Sequence, residues 1–252
     1  MLICAVVPHF DHVDQFEALL PQLSSQGMPL VVVDDASPAE AYADLQVLLD
    51  EHTVGTILVR HTQNLGKGGA VMTGLKAALE AGYTHALQLD ADGQHDVTDM
   101  GRFSAVAEEH PDCIICGQPE FDKSISKLRY YARFITLSLS WLESLSTNIR
   151  DALCGFRVYP LEPVVTLFES SKPGKRMAFD PEILVRAIWA DIELKFIPIK
   201  VSYPEGGKSH FHYVRDNVEI SWMHTRLIVG MIIRLPAILS RNLTRRAGSA
   251  AR

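Results

Sequence analysis

Two carboxylates stand two residues apart at the end of an apolar run, where the chain reads ALQLDADGQHD. Asp90 and Asp92 follow the strand-like residues 85–89, and Gly93 lets the chain turn directly after them. Paired carboxylate oxygens suit Mg²⁺ or Mn²⁺, which take further ligands from the phosphates of a substrate. The alternative is a pair of turn-forming or helix-capping aspartates before a helix that begins near Thr98. The presence of two acids in DADGQH favours the metal–phosphate site.

A second acidic pair follows an earlier apolar run, in VVVDDASP. Ser37 and Pro38 are typical of a helix start, with Ser37 as the N-cap residue. That helix start does not account for Asp34 and Asp35, two adjacent acids at the end of a predicted strand. Their oxygens are suited to accept hydrogen bonds from a nucleobase or a ribose.

A glycine-rich loop reads NLGKGG from Asn64 to Gly69. Backbone amides at a helix N-terminus, together with Lys67, form a suitable cradle for a phosphate group. The loop matches neither GxxxxGK[ST] nor GxGxxG, so it is a weak signal when taken alone.

Short apolar runs alternate with amphipathic segments through the first half of the chain. The predicted strands are 2–7, 30–33, 56–59, 85–89 and 113–116, and the predicted helices are 12–25, 39–51, 68–81 and 98–109. The second half is less regular, with predicted helices at 124–147, 180–190 and 212–239 and predicted strands at 156–159 and 194–203. This alternation predicts an α/β fold with a mostly parallel sheet flanked by helices. The polar clusters that follow the strands then lie at one edge of the sheet, where ligands bind in such folds.

Composition narrows the class of protein. The chain has 252 residues, and its formal net charge of −6 argues against a general nucleic-acid binder. Its four cysteines are typical of a reducing compartment without a disulfide framework. Cys113 and Cys116 form a CxxC inside an apolar run, and their odd spacing in a strand favours two buried thiols on opposite faces over a zinc or redox site. We expect no signal peptide and no transmembrane helix.

Six segments in order resemble the GT-A, family-2 glycosyltransferases. They are AVVPHF, VVVDDASP, NLGKGGAVMTGLKAALEAG, LDADGQHD, DALCGFRVY and FDPEIL, spread over about residues 3 to 210. The resemblance is greatest to the branch that contains dolichyl-phosphate mannosyltransferases and polyprenyl-phosphate sugar transferases. It implies a GT-A, Rossmann-like catalytic domain over 1–211, which a C-terminal amphipathic and basic helical extension follows over 212–252.

The resemblance also implies a reaction and a set of site residues. The reaction is an inverting transfer of a hexose or N-acetylhexosamine from a nucleotide sugar, with UDP- favoured over GDP-, to a polyprenyl-phosphate or other lipid-linked acceptor. Carried over by position, the residues that bind the nucleotide sugar are Pro8, Phe10, Asp34, Asp35, Asn64, Lys67, Asp90, Arg157 and Lys208. Asp90 and Asp92 would hold the Mg²⁺ or Mn²⁺ that bridges the diphosphate.

Asp151, in RDALCGFRVY, matches the family position proposed for a base or for a carboxylate that orients the acceptor. A hydroxyl acceptor needs a base, whereas a lipid phosphate is already anionic near neutral pH. The alternative role is an ion pair with Arg150 or Arg157, and Arg157 could instead bind the acceptor phosphate.

Three further residues each have two alternative roles. In the GGKSH loop, Lys208 and His210 either add positive charge near the diphosphate or belong to a solvated turn. His95 is either an additional metal ligand or a residue at a helix start.

The C-terminal segment is expected to meet a membrane from its cytoplasmic face. Its apolar part, 227–239, is broken by Arg234 and Pro236 and is too short to span, and the tail beyond Ile220 holds six arginines and no acid. This pattern is typical of an interfacial helix on an anionic leaflet, with the predicted helix 124–147 beside it. The alternative is packing on the domain or on a second copy in a homo-oligomer.

Two other classes of protein are alternatives to a glycosyltransferase. A haloacid-dehalogenase-type phosphatase also uses D-x-D-G, but on its first strand, whereas the motif here ends the fourth. A non-catalytic nucleotide-sugar-binding scaffold at the membrane remains the alternative function.

Overall fold

The computed structural model describes residues 1–52, 55–91, 95–120, 127–201 and 213–250. The strands of the described part are β1 (Ile3–His9), β2 (Leu30–Asp34), β3 (Ile57–Arg60), β4 (His85–Gln88), β5 (Ile114–Glu120), β6 (Arg157–Pro160) and β7 (Leu194–Lys200). Its helices are α1 (Val13–Ser25), α2 (Ala39–His52), α3 (Lys67–Glu80), α4 (Met100–Glu109), α5 (Lys127–Ser144), α6 (Leu161–Ser171), α7 (Phe179–Trp189) and α8 (Tyr213–Ala250). A 3₁₀ turn at Val97–Asp99 precedes α4.

The strands form one sheet in the order β3-β2-β1-β4-β6-β5-β7. β1 pairs in parallel with β2 and β4, and β2 with β3, so the carboxyl ends of these four strands lie at one edge. β6 runs antiparallel to both of its neighbours, and β7 is parallel to β5. The predicted mostly parallel sheet is confirmed. Because β6 is reversed, its first residue, Arg157, lies opposite Gln88 at the same edge.

Each face of the sheet carries its own apolar core. Alternate residues of β1 divide between them, with Cys4 and Val6 in one core and Ala5 and Val7 in the other. This is the two-residue period of a strand covered on both faces. Cys113 and Cys116 are buried in opposite cores, as the odd spacing predicted.

Most predicted elements agree with the structure to within a few residues, and the exceptions have a physical reason. α6 was not predicted because no loop separates it from β6: Pro160 ends the strand and is also the N-cap residue of the helix. The last helix is longer than 212–239, because it continues through Pro236 to Ala250.

Helix α8 is both a part of the core and an exposed surface. Met223 and Leu227 are fully buried in the core, while Trp222 and Ile233 are 62% and 72% exposed. By length and composition alone, Val214–Arg241 passes as a membrane-span candidate, whereas the sequence pattern predicts no transmembrane helix. That criterion is weak evidence, because core helices of soluble proteins also meet it, and 28% of the apolar window is buried. The expected domain boundary at residue 211 lies outside the described residues.

Candidate active site

Asp35 joins the end of β2 to the glycine-rich loop. Its carboxylate accepts hydrogen bonds from the backbone N–H groups of Leu65 at 2.8 Å and Gly66 at 2.7 Å. A third contact comes from Nδ1 of His61 at 2.7 Å, and Nε2 of that ring lies 2.9 Å from Oγ1 of Thr73. Asp35 therefore fixes the loop that leads into the N-terminus of α3, in addition to its predicted place near the nucleotide.

The glycine-rich loop is also held from its other side. Asn64 donates from Nδ2 to the carbonyl of Asp35 at 3.2 Å and accepts at Oδ1 from Arg176 at 3.1 Å. Gly66 has a φ of 87°, and a Cβ there would lie 2.5 Å from Cγ of Arg176. Only glycine fits this left-handed and crowded position. In this structure the side chain of Asn64 holds the glycine-rich loop in place by hydrogen bonds.

Lys67, the first residue of α3, lies between two carboxylates. Its Nζ is 2.9 Å from Oδ2 of Asp90 and 3.0 Å from Oδ2 of Asp180. Burial alone lowers the pKa of Lys67, but the two carboxylates raise it by more, so the net shift is upward. The ammonium group therefore stays charged at the end of β4, as a diphosphate-binding site requires.

Asp90 keeps one oxygen for a ligand. Its Oδ1 is buried and accepts no hydrogen bond from the described residues, and Nδ1 of His95 has no partner there either. Burial raises the pKa of the Asp90 carboxyl, but the ammonium of Lys67 lowers it by more, so the net shift is downward and the carboxyl stays ionised. Burial lowers the pKa of His95, so the imidazole is neutral, the form that binds metals.

These donor atoms fit a divalent cation whose remaining ligands come from elsewhere. Asp92, the second predicted ligand, lies outside the described residues. Among the residues that the structure does describe, no group of three or more His, Cys, Asp or Glu side chains could hold a metal ion. Lys208 and His210 also lie outside the described part of the chain.

Asp34 lies beneath the site. It is fully buried, with Oδ1 3.5 Å from Nδ1 of His9 and Oδ2 3.4 Å from Nε of Arg60. Burial raises the pKa of Asp34, but the contact with His9 and the hydrogen bonds of Ser37 lower it by more, so the net shift is downward. Asp34 is therefore an ionised, buried carboxylate with partners inside the protein, while Pro8 and Phe10 at the end of β1 are half-buried. The binding roles of all three residues stay predictions.

The binding role of Arg157 stays a prediction, and in this structure its side chain is bonded within the protein. Its side chain is fully buried, and its guanidinium donates to the carbonyls of Asp180 at 2.9 Å and Ala152 at 3.1 Å. These contacts hold the guanidinium inside the protein, beside the first turn of α7.

Asp151 forms an ion pair, but with neither of the arginines that the sequence suggested. Its partner is Arg133 on α5, whose Nη2 lies 2.7 Å from Oδ1 and whose Nε lies 3.1 Å from Oδ2. The same carboxylate accepts from the backbone N–H groups of Leu153 at 2.9 Å and Cys154 at 2.7 Å. Asp151 is thus anchored, and Arg133 brings a cation to its side.

Sequence reasoning missed Arg133, His61 and Asp180. The motif FDPEIL contains Asp180, so a signal for it was present in the sequence. Arg133 and His61 carry no motif, and only the packing of α5 and the register of β3 reveal them.

The sheet order, the cradle at its carboxyl edge and the acidic strand ends define a GT-A nucleotide-sugar-binding fold. Residues 4–166 match the family model described as glycosyl transferase family 2, and the chain therefore belongs to that family of glycosyltransferases.

Named relatives and solved structures agree with this class. The chain is 25% identical over 247 residues to a UDP-N-acetylglucosamine–dolichyl-phosphate N-acetylglucosaminyltransferase of Methanococcus voltae, with 92% of this chain and 98% of the relative covered. It is 28% identical over 193 residues to a polyprenol monophosphomannose synthase of Mycolicibacterium smegmatis, with coverages of 71% and 69%. Glucosyl-3-phosphoglycerate synthase of Mycobacterium tuberculosis, solved with Mn²⁺, UDP and phosphoglyceric acid, superimposes with a TM-score of 0.62 at 14% identity, covering 92% of this chain and 77% of that chain. At that identity the likeness shows the fold alone.

Proposed function

We propose that the protein is an inverting glycosyltransferase that moves a hexose or N-acetylhexosamine from a nucleotide sugar to a polyprenyl-phosphate or other lipid-linked acceptor. The observation that carries this proposal is the ammonium of Lys67 beside Asp90, whose second oxygen has no partner among the described residues. A cation and a carboxylate with a spare oxygen, at the helix N-terminus that follows a glycine-rich loop, suit a diphosphate and its metal ion.

On the donor side, the N-terminus of α3 and Lys67 would bind the diphosphate. Asp90 and Asp92 would hold Mg²⁺ or Mn²⁺, which when bound neutralises charge on the departing nucleoside diphosphate. A UDP-sugar is favoured over a GDP-sugar, because the relative that aligns over 98% of its length is named for a UDP-sugar.

On the acceptor side, the contacts of Asp151 favour an anionic acceptor. Its oxygens already accept from Arg133 and from two backbone N–H groups, an arrangement that suits a fixed carboxylate better than a base. A phosphate oxygen is already charged and needs no base, whereas an alcohol does. Arg133 would then attract the acceptor phosphate, and Asp151 would orient Arg133. The names of the relatives from Methanococcus voltae and Mycolicibacterium smegmatis, which include lipid-phosphate sugar transfer, support this choice.

Titration of UDP- and GDP-sugars with and without Mn²⁺ tests the donor site. We expect Mn²⁺-dependent binding of the UDP-sugar in the wild type and its loss in Asp92→Ala, because the metal loses a carboxylate ligand. Asp96→Ala is the matched control: Asp96 caps the 3₁₀ turn through the N–H of Thr98 at 2.9 Å and should leave donor binding unchanged. Equal donor binding by Asp92→Ala and the wild type would contradict the metal assignment.

Two helices expose an apolar surface suited to a membrane on the cytoplasmic face. We define it by the exposed residues Tyr130, Tyr131, Phe134, Ile135 and Leu142 of α5 and Val214, Val218, Trp222, Val229, Ile232, Ile233 and Leu239 of α8. Such a surface beside arginines is typical of interfacial helices on anionic lipid. The proposed acceptor is itself a membrane lipid, so this surface would bring the site to its substrate.

Vesicle co-sedimentation tests this surface. The wild type should bind phosphatidylglycerol vesicles, and the double variant Ile232→Glu/Ile233→Glu should bind at least about tenfold more weakly, because two side chains lose their apolar burial. Val47→Glu, a change at an exposed position on α2, is the control that should bind as the wild type does. If the wild type ignores vesicles and forms a dimer that the double variant disrupts, a second copy covers the surface instead.

A further inference from the structure

We propose that Asp180 is a positioning residue that holds the ammonium of Lys67 where the donor diphosphate binds. This inference rests on the proposed function, and it assigns a role to a residue outside the predicted site. When the carboxylate of Asp90 binds a ligand, Lys67 needs a second partner to stay in place, and Asp180 is that partner.

Four side chains near Lys67 form a row in which negative and positive charges alternate. Nζ of Lys67 lies 2.9 Å from Asp90 and 3.0 Å from Asp180, and Asp180 in turn lies 3.7 Å from Nη1 of Arg157. Asp180 is 5% exposed and Arg157 is fully buried, so the inner end of this row is closed to solvent. A buried carboxylate with cations on both sides is held firmly, because moving it would break its ion pairs with both of them.

The backbone also fixes Asp180 relative to Lys67. Gly68 packs directly on Phe179, and a Cβ on Gly68 would lie 2.3 Å from Cβ of Phe179. The first turns of α3 and α7 are therefore in contact, and the residue next to each contact point is one partner of the Lys67–Asp180 pair. Neither helix can shift without opening this contact.

A third side of the Lys67 ammonium is closed by Gly155. A Cβ there would lie 2.6 Å from Nζ of Lys67 and 2.9 Å from Oδ2 of Asp90. Lys67 is thus enclosed by two carboxylates and a glycine backbone. The two carboxylates use two of its three N–H donors, which leaves one for a phosphate oxygen.

The two carboxylates then have different tasks. Oδ1 of each carboxylate accepts no hydrogen bond from the described residues, but the two lie in different surroundings. Asp90 lies at the predicted metal site, whereas Oδ1 of Asp180 lies 3.7 Å from Nη1 of Arg157. Without Asp180, Lys67 would pair with Asp90 alone and compete with the cation for that carboxylate. With Asp180 present, Lys67 keeps its place and Asp90 can turn to the metal.

A double-mutant cycle tests the inference, with UDP in the presence of Mn²⁺ as the probe and calorimetric titration as the readout. We expect Asp180→Asn and Lys67→Met each to weaken UDP binding about tenfold, and the double variant to bind no more weakly than Lys67→Met. Such non-additivity means that Asp180 acts through Lys67, whereas a general structural defect would multiply the two losses. Asp99→Asn, which breaks a 3.3 Å surface pair with Arg102, controls for removal of a carboxylate charge and should bind as the wild type does.

The outcomes separate this inference from the proposed function. If the wild type binds no UDP, both fail; if it binds UDP but the losses multiply, or Asp180→Asn binds normally, this inference alone fails. Should Asp180→Asn not fold, as judged by circular dichroism, the cycle is run with Asp180→Glu, which keeps the charge and moves it, and additive losses there overturn the inference equally.

Discussion

Asp35 and Asp151 have similar hydrogen-bond partners, one on the proposed donor side and one on the proposed acceptor side of the site. Each carboxylate accepts from two successive backbone N–H groups, those of Leu65 and Gly66 for Asp35 and those of Leu153 and Cys154 for Asp151. Each also has one cationic or potentially cationic partner. For Asp35 that partner is a histidine, and for Asp151 it is an arginine.

The difference lies in how each aspartate reaches its partners. Asp35 holds a loop about thirty residues away that follows a neighbouring parallel strand, so the sheet itself brings them together. Asp151 caps the two amides next to it and depends on a separate helix, α5, for its cation. The donor cradle is therefore a property of the sheet, whereas the acceptor side depends on how one exposed helix packs.

Replacement of Arg133 by Met is the strongest test of this contrast. It leaves Asp151, which is 8% exposed, with backbone partners only and without its cation. Removing one partner of a largely buried ion pair leaves an uncompensated charge, so we expect unfolding to become easier by about 3 kcal/mol. Urea denaturation measures this change, and the further replacement Asp151→Asn should restore part of the loss.

His61→Leu is the matched change on the donor side. Asp35 keeps its two backbone hydrogen bonds, and the framework of parallel strands is untouched, so we expect a loss of only about 1 kcal/mol in the same assay. A loss at His61 as large as that at Arg133 would show that the two aspartates are held equally, and the contrast would be wrong.

The difference between contacts set by the sheet and contacts set by helix packing explains which site residues could be predicted from the sequence. The acidic strand ends, Asp34, Asp35 and Asp90, were found because alternation locates a strand and a parallel sheet gathers the ends of its strands. Asp35 contacts the glycine-rich loop at Gly66, and Asp90 contacts the same loop at Lys67.

The acceptor side was harder to predict, because its geometry is set by packing between distant elements. Arg133 lies on a helix whose rotation about its axis no local pattern near Asp151 defines. The predicted binding role of Arg157 could not take its burial into account. Alternation in FRVY does not tell which face of the sheet receives the side chain of Arg157. The structure shows the guanidinium fully buried and bonded to two backbone carbonyls.

A pH-dependent test examines the donor side through Asp34, whose pKa lies below its ordinary value of 3.8. Because the folded protein favours the ionised carboxylate, Asp34 adds stability at pH values above 3.8. That contribution is lost as the pH falls below 3.8 and through the pKa of the folded state. We therefore expect Asp34→Asn to be less stable than the wild type at pH 7, with a gap that narrows below pH 3.8.

Urea denaturation of both proteins at pH 7, 5 and 3 measures that gap. The gap should be equal at pH 7 and 5, since the carboxyl is ionised at both, and smaller at pH 3. Asp99→Asn, at a surface pair of α4, separates this effect from the general acid sensitivity of the fold. A gap that widens on acidification would mean that the burial of Asp34 outweighs its contacts with His9 and Ser37. Asp34, on the proposed donor side, would then destabilise the fold at neutral pH, whereas Asp151 on the proposed acceptor side has its partners. The proposed donor side would then be the less stable of the two, contrary to the comparison of Asp35 with Asp151.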